Sequence, residues 1–386
     1  METKKSKILF INPPQTFYPG STIFSKSFPL GLASVAAVLL REAYDVTILD
    51  TLVNKFEIIK DENVTTYGML FKNIEEEIRI SKPDIIGITC PFTAQSENAI
   101  KIANIVKQID KKIITILGGP DSSVRAKTLM ENNISIDFAV IGEGEQTMLE
   151  FTDKINNNNY EELEKVKGLV LRIEDKIIIN EEREFIKNLD SLPFPAYELF
   201  NMNAYFDETD EYLYIQRMGR KKRELPIITS RGCPYKCIFC SIHLHMGNKW
   251  RSHSAKYVLD HLKHIIEKYG VNHIHFEDDN LTQNIKRTEE ILNGIIKNNY
   301  KVTWDTPNGV RIDHLDEKIL LLMKKAGCVK LTVAIESGDQ YVLDKIISKA
   351  LNLNTVAEIV DKINNVGIPL HSFYIIGFPG EKRENI

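Results

Sequence analysis

Three of the chain's five cysteines, Cys233, Cys237 and Cys240, fall within eight residues at C-x3-C-x2-C spacing. They lie in Arg231-Gly232-Cys233-Pro234-Tyr235-Lys236-Cys237-Ile238-Phe239-Cys240. Three clustered thiols cannot close an even disulfide framework. Three thiolates on one short loop suit a cubane [4Fe-4S] iron–sulfur cluster whose fourth iron stays open to a small molecule. The alternative is structural zinc, which takes four Cys or His ligands. His243, His245 or His253 could supply the fourth. Zinc loops tend to bring their ligands in pairs, and no second C-x2-C pair stands in this sequence.

The loop follows Leu225-Pro226-Ile227-Ile228-Thr229-Ser230, an apolar run that reads as a buried strand. Together they resemble the radical S-adenosylmethionine (SAM) superfamily, whose signature is C-x3-C-x-aromatic-C. Phe239 fills the aromatic place. Strand–helix units continue from there. Strands are expected at 227–230, 273–276, 301–304, 330–335 and 370–376, with helices near 254–269, 286–298, 315–326 and 354–366. The resemblance implies a partial (β/α)6 barrel over 225–386, truncated after the fifth strand, with its chemistry at the strands' carboxyl ends.

It also implies roles for residues at those ends. Glu277 and Asp278, in Glu277-Asp278-Asp279, would meet the SAM amino group. Asn308 and Arg311 follow the third strand, and a guanidinium there would pair with the SAM carboxylate. Glu336 would take the ribose, Gly377 would lie near the adenine, and Ser337 and Phe239 would also contact SAM. Taken singly, a carboxylate at a strand end is often only a helix cap.

The elements of the N-terminal half alternate. Short apolar runs at 8–11, 46–49, 85–89, 113–117 and 138–141 are separated by helical patterns near 31–43, 66–81, 95–109, 122–132 and 145–156. That alternation predicts an α/β fold, a Rossmann-like doubly wound parallel sheet over 1–160. Asp50 ends the second run, where an acid would grip a dinucleotide ribose. The first run, however, is followed by Asn12-Pro13-Pro14 and not by a glycine-rich turn. Prolines lack the N–H groups that would cradle a pyrophosphate.

The loops instead carry Asn12, Pro13 and Pro14, then Leu30 and Gly31, then Gly118 and Gly119, then Gly142, Glu143 and Gly144. Glycines there let the backbone approach a flat ligand closely. The set resembles the cobalamin-binding domain that precedes many radical SAM barrels. No D-x-H-x-x-G motif is present, so no histidine is expected beneath cobalt. Asp121 stands where the resembled family usually carries His after Gly-Gly-Pro. Cys90, ending the third run, is a further candidate for cobalamin contact. The same loops would also suit a Rossmann-like domain that has lost its ligand.

Between the halves, 161–224 reads as a linker: a hairpin at 166–180, then the Pro-rich Leu189-Asp190-Ser191-Leu192-Pro193-Phe194-Pro195-Ala196. The basic run Arg217, Arg220, Lys221, Lys222 and Arg223 reads as a solvated loop.

A length of 386 residues suits two domains, and 43% hydrophobic with 26% charged residues describes an ordinary globular chain. A net charge of −4 gives no reason to expect nucleic-acid binding. No apolar stretch is long enough to span a membrane. The opening residues run straight into a strand-like segment, so no signal peptide is expected, and clustered free thiols fit a reducing cytoplasm.

The combined resemblance implies a radical SAM methyltransferase, or a related cyclase, acting on a small molecule. Its cofactors would be a [4Fe-4S] cluster, SAM and cobalamin, and its electrons would come from a flavodoxin or ferredoxin. A methylthiotransferase would need three further cysteines in the N-terminal half, where only Cys90 stands. A zinc-stabilised module without catalysis would bind no SAM.

Overall fold

The structure, a computed structural model, describes residues 5–18, 24, 26–207 and 223–386. Most of the basic run at 217–223 lies outside the described residues. The chain divides into two compact units. One comprises Met1–Ile186 with Leu192–Arg217, the other Lys187–Ser191 with Met218–Ile386.

The first unit opens with β1 (Lys7–Asn12), β2 (Gln15–Phe17), α1 (Leu30–Arg41), β3 (Asp45–Asp50), β4 (Glu57–Lys60) and β5 (Thr65–Gly68). It continues through α2 (Phe71–Ser81), β6 (Ile85–Thr89), α3 (Ser96–Ile109), β7 (Ile114–Gly118), α4 (Pro120–Asn132), β8 (Phe138–Val140) and α5 (Gly144–Asn156). It ends with β9 (Leu169–Ile173), β10 (Lys176–Ile179) and the short α6 (Met202–Tyr205).

Seven strands pair in the order β10-β9-β8-β7-β6-β1-β3. From β3 to β8 the pairing is parallel. Strand alternation sends successive side chains to opposite faces. Leu9 and Ile11 therefore pack with Ile74, Ile102 and Leu129 from α2, α3 and α4. Ile8 and Phe10 pack with Leu39, Met148 and Phe151 from α1 and α5. Burial on both faces is why β1 reads as a continuous apolar run. The expected doubly wound sheet is present, and its strand order reverses between β1 and β6, where such sheets bind ligands.

Two expectations change in this unit. The hairpin at 166–180 is no linker: β9 pairs antiparallel with β8 and extends the sheet. The helix expected from residue 66 begins at Phe71, because Thr65–Gly68 forms the central strand of a small antiparallel sheet ordered β2-β5-β4.

The second unit contains β11 (Glu224–Ile227), β12 (Ser230–Arg231), α7 (Ile242–His245), β13 (Arg251–Ser252), α8 (Ala255–Tyr269), β14 (His273–Phe276) and α9 (Ile285–Lys297). It continues with β15 (Thr303–Asp305), α10 (Glu317–Lys325), β16 (Cys328–Glu336), α11 (Leu353–Val366) and β17 (Leu370–Tyr374). Its five-stranded sheet runs β11-β14-β15-β16-β17, all parallel. The strand expected at 227–230 lies earlier, at Glu224–Ile227, and Ser230 instead joins β12, which pairs with β13 to close the cysteine loop. Pro226 is tolerated because β11 is an edge strand.

Trp304 is fully buried, with its indole Nε1 donating to Ala326 O at 3.0 Å beyond the end of α10. Phe276 packs edge-on against it at 5.4 Å. These contacts mark the helix-covered face of the sheet. His273, His275 and Asp305 alternate with them and so belong to the opposite face.

Candidate active site and cofactor cradles

The cysteine loop leaves β12 through Gly232, whose φ is +78°. A Cβ there would lie 2.6 Å from Lys249 O and 2.9 Å from Met246 O, so only glycine fits. Cys237 is buried and Cys233 and Cys240 are half-buried, all three as free thiols. Burial pushes Cys233 and Cys237 up from the usual thiol value, and the neighbouring thiols push the same way. Binding a metal would remove those protons.

The donor set separates the two metal readings. Zn–S bonds of about 2.3 Å hold tetrahedral ligands roughly 3.8 Å apart. Among the described residues, no group of three Cys, His or carboxylate ligand atoms within 4.8 Å of one another includes these thiols. His253 is engaged elsewhere, stacked on Tyr257 at 3.9 Å and 3.3 Å from Asp190. Wider-set soft thiolates fit an iron–sulfur cubane.

Strand ends converge on this loop, though with different roles from those the sequence predicted. Asp278 is buried and accepts from Thr229 N at 3.1 Å, Thr229 Oγ1 at 2.8 Å and Ser230 Oγ at 2.5 Å. Its carboxylate fixes the approach to the cysteine loop. Asp279 accepts from Gly232 N at 3.0 Å, and burial pushes its carboxyl up to about 6. The remaining acid of the trio, Glu277, is half-buried at the end of β14. Asn308 donates to Glu277 O at 2.9 Å, holding that turn.

Arg311 departs furthest from expectation. Its Nε and Nη2 grip Asp313 at 2.9 and 2.7 Å, Nη1 donates to Lys349 O at 3.0 Å, and Nη2 to Ala350 O at 2.9 Å. The guanidinium also lies 3.8 Å from the Tyr235 ring centroid. Four of its five N–H donors are taken by protein acceptors, so it clamps the cysteine loop to the 349–350 segment.

The cation the sequence reading missed is Lys349, only 6% exposed. Its Nζ stands 3.4 Å from Glu336 Oε1 and 5.9 Å from the Phe239 ring centroid. An isolated lysine in Ser348-Lys349-Ala350 carries no sequence signal; only burial singles it out. Glu336, at the end of β16, has φ +73°, and Ser348 and Ala350 are also left-handed, at +55° and +51°. Backbone strain of this kind gathers at ligand sites.

Ser337 is buried, its Oγ accepting from Asp339 N at 3.2 Å. Phe239 packs against Phe378 at 5.8 Å, the residue after exposed Gly377, whose N–H donates to Glu381 Oε2 at 2.6 Å. Ile238 N donates to Ile347 O at 3.1 Å, tying the loop down. Trp250 anchors its far side through Nε1 to Asn280 O at 3.0 Å.

In the first unit, the loops at the carboxyl edge of the sheet form a second cradle. Helices α1, α4 and α5 start there with no side-chain cap. In the second unit, α8 to α11 are capped by Ser254, Asn284, Asp316 and Asn352. Uncapped N-termini offer unsatisfied N–H groups to a ligand. An added Cβ at Gly31 or Gly118 would meet nothing within 4 Å. Gly142 and Gly144 are part-exposed at the start of α5. Gly119 has φ +107°, and a Cβ there would lie 2.9 Å from Cys90 O. Pro13, Pro14 and Leu30 are buried against this edge. The open glycine loops fit a flat, bulky ligand such as cobalamin.

Three residues expected to touch that ligand, Asn12, Glu143 and Cys90, are instead committed internally. Asn12 donates to Asp50 at 3.0 Å, and Tyr205 also donates to that buried acid. Asp50 thus serves the packing and not a ribose. Glu143 accepts from Ile186 N at 2.7 Å. Cys90 is fully buried, 3.4 Å from Asp121 Oδ2, and burial pushes its thiol up to about 12. Asp121 itself is locked by Arg125 at 2.7 Å and Thr93 at 2.6 Å. Burial acts to raise Asp121, but Arg125 and Thr93 hold it below the usual carboxylate value.

Comparison with known proteins accords with both cradles. Residues 227–386 match the model of the radical SAM superfamily, and residues 20–152 match that of the B12 binding domain. The chain is 30% identical to the cytidylyl-2-hydroxyethylphosphonate methyltransferase of Streptomyces wedmorensis, over 98% of this chain and 74% of that protein. It is 31% identical to an uncharacterized methyltransferase of Pyrococcus horikoshii, over 99% of this chain and 76% of that one. The anaerobic magnesium-protoporphyrin IX monomethyl ester cyclase of Rubrivivax gelatinosus is 25% identical over 98% of this chain and 64% of its own length.

Two solved structures share the fold. The cobalamin-dependent SAM radical enzyme OxsB has a TM-score of 0.77 at 20% identity, over 97% of this chain and half of its own. The radical SAM methyltransferase TsrM from Kitasatospora setae has a TM-score of 0.74 at 18% identity, over 99% of this chain and 69% of its own. With the two domain models in tandem and methyltransferase relatives matched along nearly its whole length, the chain belongs to the cobalamin-binding radical SAM enzymes, which use a [4Fe-4S] cluster, SAM and cobalamin.

Proposed function

We propose that this chain methylates an unactivated carbon of a small-molecule substrate. The bound cofactors supply the hard chemistry, reductive cleavage of the SAM sulfonium and carriage of a methyl group on cobalt. The observation that carries the reading is the three-thiol loop tied down beside the strand-end groups of the same unit.

In this reading Cys233, Cys237 and Cys240 hold three irons. Glu277 accepts from the SAM ammonium, and Lys349 pairs with its carboxylate. Glu336 and Ser337 face the ribose, and Phe239 with Phe378 and Gly377 flank the adenine. Asp278, Asp279 and Arg311 position the loop without touching the ligand. The uncapped helix starts and glycine loops of the first unit would hold cobalamin. Support for methyl transfer comes from the two relatives at 30 and 31% identity, both methyltransferases by name. A cyclase-type oxidation has the weaker support of a relative at 25% identity. The reaction belongs in the reducing cytoplasm, where the thiols persist and a flavodoxin or ferredoxin can deliver electrons.

The test is anaerobic reconstitution with iron, sulfide and hydroxocobalamin, then incubation with SAM bearing a deuterated methyl group and a reductant. The expected result is about four irons per chain, one bound cobalamin, S-adenosylhomocysteine as a product, and the deuterated methyl on cobalt. SAM cleavage with no S-adenosylhomocysteine and no label on cobalt would refute methyl transfer and leave the oxidative reading.

A further inference from the structure

On the face of the second unit's sheet opposite Trp304, β14 and β15 bring two imidazoles and a carboxylate together. His273, His275 and Asp305 are buried, at 0, 1 and 0% exposure, and their ligand atoms lie within 4.8 Å of one another. None of them enters the SAM reading above.

The ring nitrogens that face away from this cluster already have partners. Thr303 Oγ1 lies 2.7 Å from His273 Nδ1 and 3.4 Å from Asn272 O, so the imidazole's outer nitrogen is held by a hydroxyl. That leaves Nε2 of His273 facing inward, with no hydrogen-bond partner among the described residues. His275 Nε2 lies 3.2 Å from Glu224 Oε2, which leaves Nδ1 inward, 2.7 Å from Asp305 Oδ1. His273 Nε2 points at the same Asp305 oxygen from 3.9 Å. Two imidazole nitrogens and a carboxylate oxygen thus converge in a dry interior, where polar groups need a shared partner. A ligating histidine whose other nitrogen is held by a carboxylate or hydroxyl is the arrangement metal sites use to fix tautomer and direction. Lys330 Nζ lies 3.6 Å from Asp305 Oδ2, so it engages the other carboxylate oxygen.

We propose that His273 Nε2, His275 Nδ1 and Asp305 Oδ1 bind a divalent first-row transition ion, separate from the iron–sulfur cluster. Two imidazoles and one carboxylate suit zinc or iron(II) and leave coordination positions open. Glu224 and Thr303 orient the ligands from behind. The competing occupant is a proton on His275 Nδ1 shared with Asp305. The ion displaces that proton into solvent, so its affinity rises with pH. The site joins β14 to β15 two residues below Glu277.

The proposal is independent of methyl transfer, and zinc is the probe, because iron would be confounded with the cluster. The full chain carrying Cys233→Ala, Cys237→Ala and Cys240→Ala, which removes the competing thiols, is titrated with zinc, desalted and analysed for metal. One zinc per chain is expected there, and also in the reconstituted wild type beside its iron. Adding His273→Gln or Asp305→Asn weakens zinc binding at least about tenfold, roughly 1.4 kcal/mol, measured below the melting point of each variant in chelator, with circular dichroism showing it folded. X-ray absorption of the zinc-loaded triple-cysteine protein should show imidazole and oxygen scatterers. No retained zinc, zinc held equally by both added variants, or sulfur scattering would each overturn the proposal.

Discussion

The sharpest division of labour in the second unit is between Arg311 and Lys349, and it can be separated by substitution. Arg311→Met removes a two-point ion pair to Asp313, two hydrogen bonds to the carbonyls of Lys349 and Ala350, and the contact with Tyr235. Asp313 keeps 28% of its side-chain surface in solvent, so its half of the loss is partly recovered by water. At about 1 kcal/mol per carbonyl bond and roughly 1–2 for the exposed pair, the total is about 3–4 kcal/mol. For a unit of this size that lowers the melting temperature by about 6–16 °C. Lys349→Met breaks a pair buried on both sides, each 7% exposed, and also melts lower. The two variants differ in SAM binding, measured anaerobically on reconstituted protein well below either melting point. Loss of the Lys349 ammonium removes one charge-assisted bond of about 1.5–3 kcal/mol, a weakening of roughly 10–150-fold. Arg311→Met changes affinity by less than about threefold, roughly 0.65 kcal/mol. The reasoning fails if Arg311→Met abolishes SAM binding while its iron content and melting temperature stay at wild-type values.

Three further outcomes follow from burial and backbone geometry. In metal-free native protein, alkylation at pH 8 followed by peptide mapping should label Cys233 and Cys240, whereas buried Cys90, raised to about 12, and buried Cys328 react only after denaturation. Burial holds His253 near 4 and His261 near 3, below their ordinary value of 6.5. The stability they contribute is therefore present above pH 6.5 and lost as pH falls towards 3. His261→Leu should flatten that part of an acid denaturation curve, and an unchanged slope would count against the assignment. Gly119→Ala forces a left-handed alanine with its Cβ 2.9 Å from Cys90 O, and should cost about 1–3 kcal/mol in urea unfolding and weaken cobalamin retention.

The cysteine loop was legible because its chemistry fixes both residue type and spacing. The parallel sheets were legible because strands buried on both faces must be apolar throughout, as 8–11 and 85–88 are. What failed to show was long-range or short in extent. Residues 169–179 look like any hairpin, and only pairing with β8 makes them part of the sheet. Strands of three or four residues such as β2, β4 and β5 carry too little alternation to be recognised, so Thr65–Gly68 was absorbed into the helix that follows. Charge roles were the least readable. Arg311 has the right type and place for a carboxylate partner, yet the carbonyls of Lys349 and Ala350 take its donors. Asn12, Glu143 and Asp278 sit at ligand-facing edges but turn inward for the same reason: a buried polar group is satisfied first by its neighbours.

The tryptophans have an optical consequence. The chain has two, Trp250 and Trp304, and both fall in the unit that carries the cysteine loop. One anchors that loop through Asn280, and the other is sealed beneath the sheet against Phe276. The unit with the glycine loops has none, so indole emission is blind to it, whereas far-ultraviolet circular dichroism sees both. A single denaturant series read by both signals therefore distinguishes joint from sequential melting, since coincident curves mean one cooperative transition and separated curves mean two. An iron–sulfur cluster absorbing near the indoles would quench their emission, so the same fluorescence would also track cluster assembly without a label.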